Sequence, residues 1–78
     1  MGTLMKNLTF RQLRVFVEVT RQMSFARAAA ALHLTPPAVT MQIKELEANI
    51  GLALFAREGR KVTLTHAGEY FLVYARRL

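Results

Sequence analysis

The sequence lacks cysteine and aspartate, and its only acidic residues are five glutamates. Without cysteine there is no disulfide framework, no thiolate nucleophile and no thiolate ligand for a metal, and this absence is compatible with a reducing cytoplasm. The glutamates are scattered, and the two histidines, His33 and His66, stand far apart in the sequence. Because an acid pair, a nucleophilic triad and a metal-ligand cluster are all missing, we predict no enzymatic activity, no cofactor and no metal.

Long apolar runs are also missing. The longest uncharged stretch covers residues 28–43 and is interrupted by His33 and by the pair Pro36-Pro37, so it is not a credible membrane span. The N-terminus does not combine a basic region, an apolar segment and a small-residue cleavage site, so no signal peptide is predicted.

Positive charge dominates what is present. Eleven lysines and arginines give a formal net charge of +6 and a pI of about 10.9. This excess favours a polyanionic partner, with nucleic acid as the first candidate and an anionic membrane surface as the second. With 78 residues, of which 53% are hydrophobic, the chain is predicted to form one small packed domain.

Two short helices are predicted first. Thr9 and Gln12 fit a capping box, and the helix they open is expected to reach about Gln22. Its apolar side places three residues in the core: Phe10, Phe16 and Val17. Ser24 can cap a second helix over residues 25–32, whose alanines at 28–31 allow close packing or are simply strong helix formers.

A third helix follows the turn at residues 33–35. We expect Pro36 to be its cap and Pro37 its first helical residue, because a residue before proline avoids the α region. Gly51 can end it in the left-handed conformation. Its apolar stripe consists of Val39, Ile43, Leu46 and Ile50. The opposite face carries Pro37, Thr40, Met41 and Lys44.

Two short strands around a glycine turn are predicted at 54–57 and 61–64, and a last helix after Thr65. One stripe of that helix contains Ala67, Phe71, Tyr74 and Leu78. The helical pattern continues to the final residue, so we expect the chain to be a fragment of a longer protein. The fold class predicted from this order of elements is mainly α, a winged helix-turn-helix with a small β-hairpin wing and a C-terminal linker helix.

The third helix is the predicted recognition helix, which would enter the major groove of double-stranded DNA. Thr40 can donate to or accept from a base edge, or donate to a phosphate. Pro37 and Met41 can contact thymine methyl groups, and Lys44 can reach guanine or the backbone. The alternative to DNA contact is that these four residues form an ordinary solvated helix face.

Arginine and lysine side chains around the hairpin are the predicted wing contacts: Arg57, Arg60 and Lys61. Arginine at a hairpin tip can enter a minor groove. For Arg57 a structural role is an equally good interpretation, in which its side chain holds the hairpin against the body of the domain. Arg11 and Arg14 either contact phosphate or only add charge.

Three segments together make the chain similar to the N-terminal DNA-binding domain of LysR-type bacterial transcriptional regulators, over nearly all of residues 8–78. The first is Thr9–Phe16, and the second runs from Ser24–Ala29 through Thr40–Glu47. The third comprises Leu54–Arg57, Arg60 and Leu64–Gly68.

The resemblance implies a winged helix-turn-helix in residues 1–65 and, in 66–78, the truncated start of a linker helix that pairs two subunits. It also implies a homodimer, a higher oligomer in the whole protein, a C-terminal domain for a small-molecule effector, and a bacterial cytoplasmic location on the nucleoid. The expected DNA site is an interrupted inverted repeat near a promoter. The base-reading positions that carry over are Pro36, Pro37, Thr40 and Met41. Arg57 and Arg60 serve the wing, and the stripe Ala67, Phe71, Tyr74 and Leu78 lies in the dimer seam or against the domain.

One position departs from the family pattern. Many members have glutamine where this chain has Pro36, so an amide donor and acceptor for a base is missing here. The segment at residues 38–44 is similar to regulators of carbon-fixation operons within the family.

Two alternatives to DNA binding are open to the same fold. In one, Thr40, Met41 and Lys44 contact an acidic protein, although a basic to neutral recognition face argues for DNA. In the other, the chain lies on a membrane surface. That alternative fits the pattern poorly, because the apolar stripes of the helices are expected to satisfy one another.

Overall fold

The computed structural model describes residues 9–77, so Leu78 of the last apolar stripe lies outside the described residues. Six elements follow one another in residues 9–77: α1 (Phe10–Gln22), α2 (Phe25–Leu32), α3 (Pro36–Ile50), β1 (Phe55–Glu58), β2 (Lys61–Leu64) and α4 (His66–Arg76). The two strands pair antiparallel, with Phe55 opposite Leu64 and Glu58 opposite Lys61. This order confirms the mainly α fold with a hairpin wing.

Each helix begins at a hydroxyl side chain that accepts the amide N–H three residues later. The four caps are Thr9, Ser24, Thr35 and Thr65, which accept from Gln12, Arg27, Ala38 and Gly68 at 3.0, 3.1, 3.3 and 3.0 Å. The prediction that Pro36 is the cap of α3 is therefore wrong. Thr35 supplies the acceptor that proline lacks, while Pro36 and Pro37 occupy the first two helical positions, where a missing N–H removes no intrahelical bond.

The core lies where α1, α2 and α3 meet. Its largest fully buried side chains are Phe16, Leu46, Leu54, Val15, Val19 and Val39. Ala28 and Ala29 are buried as well, which confirms close packing for two of the four alanines, while Ala30 and Ala31 are exposed. Val17 is half-buried against the core, as predicted.

The prediction that Phe10 belongs to the core is wrong, because its side chain is 77% exposed. Phe10 is the first residue of α1. Since side chains on a helix lean towards its N-terminus, a side chain at this position points past the elements that cover the following turns.

Aromatic rings connect the hairpin to the helices. The ring centroid of Phe55 lies 5.6 Å from that of Phe25 and 5.4 Å from that of Phe16, and Phe16 in turn lies 5.1 Å from Phe71 of α4. Contacts at these distances are favourable for tilted and edge-on rings. The wing is therefore packed onto the domain rather than projecting from it on its loops alone.

Gly68 allows α4 to pass very close to the segment before β1. A Cβ atom at this position would clash with the carbonyl oxygen of Leu54 and lie 2.8 Å from Cδ2 of Leu64. Thr65, the cap of the same helix, holds that segment with two bonds: its hydroxyl donates to the carbonyl of Ala53 at 2.6 Å and its amide donates to Leu54 at 3.0 Å. The position of α4 is thus fixed by a contact that only glycine permits.

Candidate nucleic-acid interface

The exposed face of α3 forms one shallow concavity. It brings together all five residues predicted for the recognition helix, Pro36, Pro37, Thr40, Met41 and Lys44. Met41 is 60% exposed, and Val39, Ile43 and Leu46 of the opposite stripe are buried in the core. The separation of the two faces thus follows the predicted pattern, and Gly51 ends the helix with a φ of 87°, as predicted.

Two further residues line the same concavity, Glu45 and Ala48. Sequence reasoning did not include them. Helical spacing was the available signal, since Glu45 lies four residues after Met41 and Ala48 four residues after Lys44. Ala48 extends the small, apolar part of the face, and Glu45 adds its only negative charge.

The turn of the hairpin is formed by Gly59 and Arg60. Gly59 has a φ of 64° while Arg60 does not have a positive φ, the combination expected of a type II′ turn, in which glycine takes the first central position. Arg60 therefore sits at the tip of the wing, and Lys61 follows as the first residue of β2. Both side chains are exposed.

Arg57 occupies a different place from the other two wing cations. It lies within β1, and its guanidinium carbon is 5.4 Å from the ring centroid of Phe25 on α2. It also shares a small depression with Thr40 and Lys44 of the recognition helix. The structure therefore supports the structural alternative for Arg57, and it places the side chain beside the recognition helix rather than at the hairpin tip.

Arg11 and Arg14 are exposed on α1, where they line a second concavity with Phe10, Leu32 and Leu34. This concavity has no residue in common with the face of α3. The structure thus does not join these two arginines to the recognition residues.

The predicted DNA contacts carry unpaired positive charge. Among residues 9–77, no ion pair involves the cations predicted to contact DNA, which are Lys44, Arg57, Arg60, Lys61, Arg11 and Arg14. Glu18 and Arg21 are paired with each other at 2.6 Å. The hydrogen bonds that Arg21 and Gln22 donate to Glu18 lower the pKa of its carboxyl, and the same carboxylate raises the pKa of Arg21.

The predicted dimer stripe of α4 faces partly inwards. Ala67 and Phe71 pack against the core of their own domain, and Tyr74 is 37% exposed with its ring 5.8 Å from Phe71. The more exposed apolar side chains of this helix are Tyr70 and Val73. Sequence reasoning missed these two, although Tyr70, Val73 and Tyr74 share a face by their spacing of three and four.

Neither a membrane span nor a metal cluster is found in the described part of the chain. No helix there is long and apolar enough to cross a membrane. Histidines and glutamates of residues 9–77 form no group of three that could hold a metal ion.

Known proteins of similar sequence are transcriptional regulators. The model of bacterial regulatory helix-turn-helix proteins of the lysR family matches residues 10–69. The HTH-type transcriptional regulator CfxR of Cupriavidus necator is 50% identical over 78 residues, which is 100% of this chain and 25% of CfxR. A RuBisCO operon transcriptional regulator of Allochromatium vinosum is 51% identical over 70 residues, 90% of this chain and 23% of that protein.

The chain spans about a quarter of the length of these relatives. These relatives are transcriptional regulators by name and the matched family model is one of helix-turn-helix proteins, which confirms the prediction of a DNA-binding domain rather than an enzyme. The similarity to a RuBisCO operon regulator also confirms the predicted likeness to regulators of carbon-fixation operons.

Solved structures of similar fold include domains bound to DNA. The CbnR DNA-binding domain in complex with DNA superposes with a TM-score of 0.85 at 43% identity, covering 90% of this chain and 80% of that one. The BenM DNA-binding domain in complex with catB site 1 DNA superposes with a TM-score of 0.85 at 37% identity, covering 90% of this chain and 79% of that one. The sequence, the fold and the unpaired cations at the predicted contacts agree. The chain belongs to the LysR family of bacterial regulatory helix-turn-helix proteins, and it carries the DNA-binding domain of such a regulator.

Proposed function

We propose that residues 1–65 recognise a promoter-proximal operator by reading base edges with α3. The observation that carries this proposal is the concave outer face of α3, which lies opposite the buried Val39, Ile43 and Leu46. That face consists of Pro36, Pro37, Thr40, Met41 and Lys44, with Glu45 and Ala48. A helix of this kind fits a major groove of roughly 12 Å width.

The chemistry of the face divides the proposed roles. The Thr40 hydroxyl donates to or accepts from a base edge, while Pro37 and Met41 make apolar contact with thymine methyl groups. Lys44 binds guanine or a phosphate. Pro36 has no side-chain donor or acceptor, so the operator is read without an amide at this position.

The wing adds contacts next to the recognition helix. Arg60 at the hairpin tip enters the minor groove, where a narrow A·T tract strengthens the negative potential, and Lys61 binds the backbone beside it. Arg57 binds a phosphate near α3, because it lies beside Thr40 and Lys44. Arg11 and Arg14 add phosphate contacts without sequence information.

The remainder of the proposal concerns assembly. Residues 66–78 begin a linker helix that pairs two subunits, and the exposed Tyr70, Val73 and Tyr74 take part in the seam together with the predicted stripe. Such a dimer binds an interrupted inverted repeat. Effector binding and higher assembly belong to a further domain of the whole protein, which acts in the bacterial cytoplasm on the nucleoid.

Selection of the chain against a random duplex library near physiological salt, with sequencing of the bound DNA, tests this function. An enriched inverted repeat supports base reading by a dimer, and an enriched single half-site supports base reading without the dimer. Salt-sensitive binding with no enriched motif contradicts base reading by α3. Absence of DNA binding contradicts the proposal altogether and favours an acidic protein partner.

A further inference from the structure

One carboxylate joins the wing to the recognition helix. Oε2 of Glu47, on α3, accepts hydrogen bonds from the backbone N–H groups of Leu54 at 2.8 Å and Phe55 at 3.2 Å. Glu47 is half-buried, and Phe55 is the first residue of β1. The base of the hairpin is therefore fastened directly to the helix that carries Thr40 and Lys44.

These two bonds are of the stronger kind, because the acceptor is a carboxylate. They also give partners to two backbone donors at the start of β1, and donors left unpaired away from water are costly. The other end of the same segment is held by Thr65, the cap of α4, through Ala53 and Leu54. These hydrogen bonds thus hold the segment before the hairpin at two points, of which Glu47 is the one on the recognition helix.

We propose that Glu47 is a positioning residue that sets the distance between Arg60 at the wing tip and the base-reading face of α3. The inference rests on the proposed function, since it needs the wing and α3 to contact one duplex together. If Glu47 sets this distance, the protein has a sequence preference that does not come from any single base contact. The protein prefers operators in which the major-groove motif and the minor-groove A·T tract have one particular spacing.

A double-mutant cycle separates this role from general support of the fold. Glu47→Ala removes both bonds, and Glu47→Gln keeps an uncharged acceptor of the same size. In the 78-residue chain we expect Glu47→Ala to weaken binding to the selected duplex about tenfold, and Glu47→Gln by less. In an Arg60→Ala background the same two changes should weaken binding by less than about twofold, because the wing tip no longer contributes.

The matched control is Glu45→Gln, which removes one negative charge from the same helix. Within residues 9–77 the Glu45 side chain makes no hydrogen bond or ion pair that this change could break. The control should tighten binding to all duplexes equally, and by the same factor with or without Arg60. Circular dichroism melts identify a temperature at which every variant is folded, and binding is measured at that temperature. If Glu47→Ala does not fold at any usable temperature, Glu47→Gln alone completes the cycle.

A second readout uses duplexes in which the A·T tract is moved by one base pair at a time. The wild-type chain should show one preferred spacing, and Glu47→Ala should bind several spacings nearly equally. Equal losses for Glu47→Ala with and without Arg60, or an unchanged spacing preference, would overturn the positioning role. If Arg60→Ala alone leaves binding unchanged, the wing contact is wrong and this inference falls with it. If the wild-type chain binds no duplex, the proposed function itself is wrong.

Discussion

The guanidinium of Arg57 lies over the ring of Phe25, 5.4 Å from its centroid, and so connects β1 of the wing to the first residue of α2. A cation held over an aromatic ring is orientated as well as stabilised. The side chain of Arg57 therefore has a preferred direction beside Thr40 and Lys44. In the phosphate contact proposed above, it would lose fewer conformations on binding.

The first prediction concerns this pair. Phe25→Leu keeps an apolar side chain but removes the ring, so it should lower the free energy of unfolding by about 1–2 kcal/mol through lost aromatic and cation–π contacts. Arg57→Ala should then cost less in the Phe25→Leu background than in the wild-type chain. Urea denaturation of the four proteins measures the coupling, and additive effects would show that the two side chains do not interact.

Thr40 should affect specificity more than affinity. We expect Thr40→Ala to weaken binding to the selected operator about tenfold and binding to random duplexes by less than about twofold, because a base-edge hydrogen bond is lost. Thr40→Ser, which keeps the hydroxyl, is the matched control. Competition titrations with both kinds of DNA give the ratio, and equal losses on both would remove Thr40 from the base-reading residues.

Lys61 should behave in the opposite way. Lys61→Ala is expected to weaken binding to all duplexes alike and to reduce the slope of log K against log salt by about one unit, as loss of one phosphate contact does. Affinity measured at four or more salt concentrations gives the slope. A loss confined to the operator would instead indicate a base contact.

Gly68→Ala should destabilise the domain, because the added methyl group meets the backbone of Leu54, which is held by Thr65 and Glu47. Overpacking of this kind costs about 1–3 kcal/mol. Gly59→Asn is the control, since its φ of 64° is one that asparagine tolerates and nothing lies within 4 Å of the added Cβ. Thermal melts of the two variants would contradict the argument if Gly59→Asn were the more destabilising.

The pH dependence of stability should carry a contribution from Glu18. Its pKa in the folded chain is lowered below the usual 4.5 by the hydrogen bonds from Arg21 and Gln22. The unfolded chain therefore binds more protons between the two pKa values, and stability rises with pH in that range. The contribution is present above about pH 4.5 and is lost as the pH falls through the folded pKa. Glu18→Gln should flatten this acid limb in urea titrations between about pH 3 and 6, and an acid limb that Glu18→Gln leaves unchanged would contradict the contribution.

The local elements were predictable because their signals are local. Hydroxyl caps, apolar spacing and the Gly59 turn each depend on residues within a few positions of one another, and the helices and hairpin formed where these signals lie. The error at Thr35 and Pro36 is of the same local kind, since both residues are suited to a helix start. The choice between them depends on which one supplies a side-chain acceptor.

What could not be predicted depends on residues distant in sequence. Phe10 is 77% exposed because the residues near it, Leu32 and Leu34, border its side chain without covering it. Glu47 accepts its two hydrogen bonds because Leu54 and Phe55 fold back onto it. Tyr70 and Val73 were overlooked because Ala67 and Phe71 of the apolar stripe pack against the domain itself, which leaves a neighbouring side of α4 exposed. In each case the tertiary arrangement sets the environment of the side chain, and the residue pattern of a single helix does not reveal that arrangement.

The series of rings from Phe25 through Phe55 and Phe16 to Phe71 has a mechanical consequence. Closely packed rings resist compression and cannot slide past one another without leaving their contacts. A rotation imposed on α4 therefore turns the wing with it, and α3 follows through the hydrogen bonds that Glu47 accepts from Leu54 and Phe55.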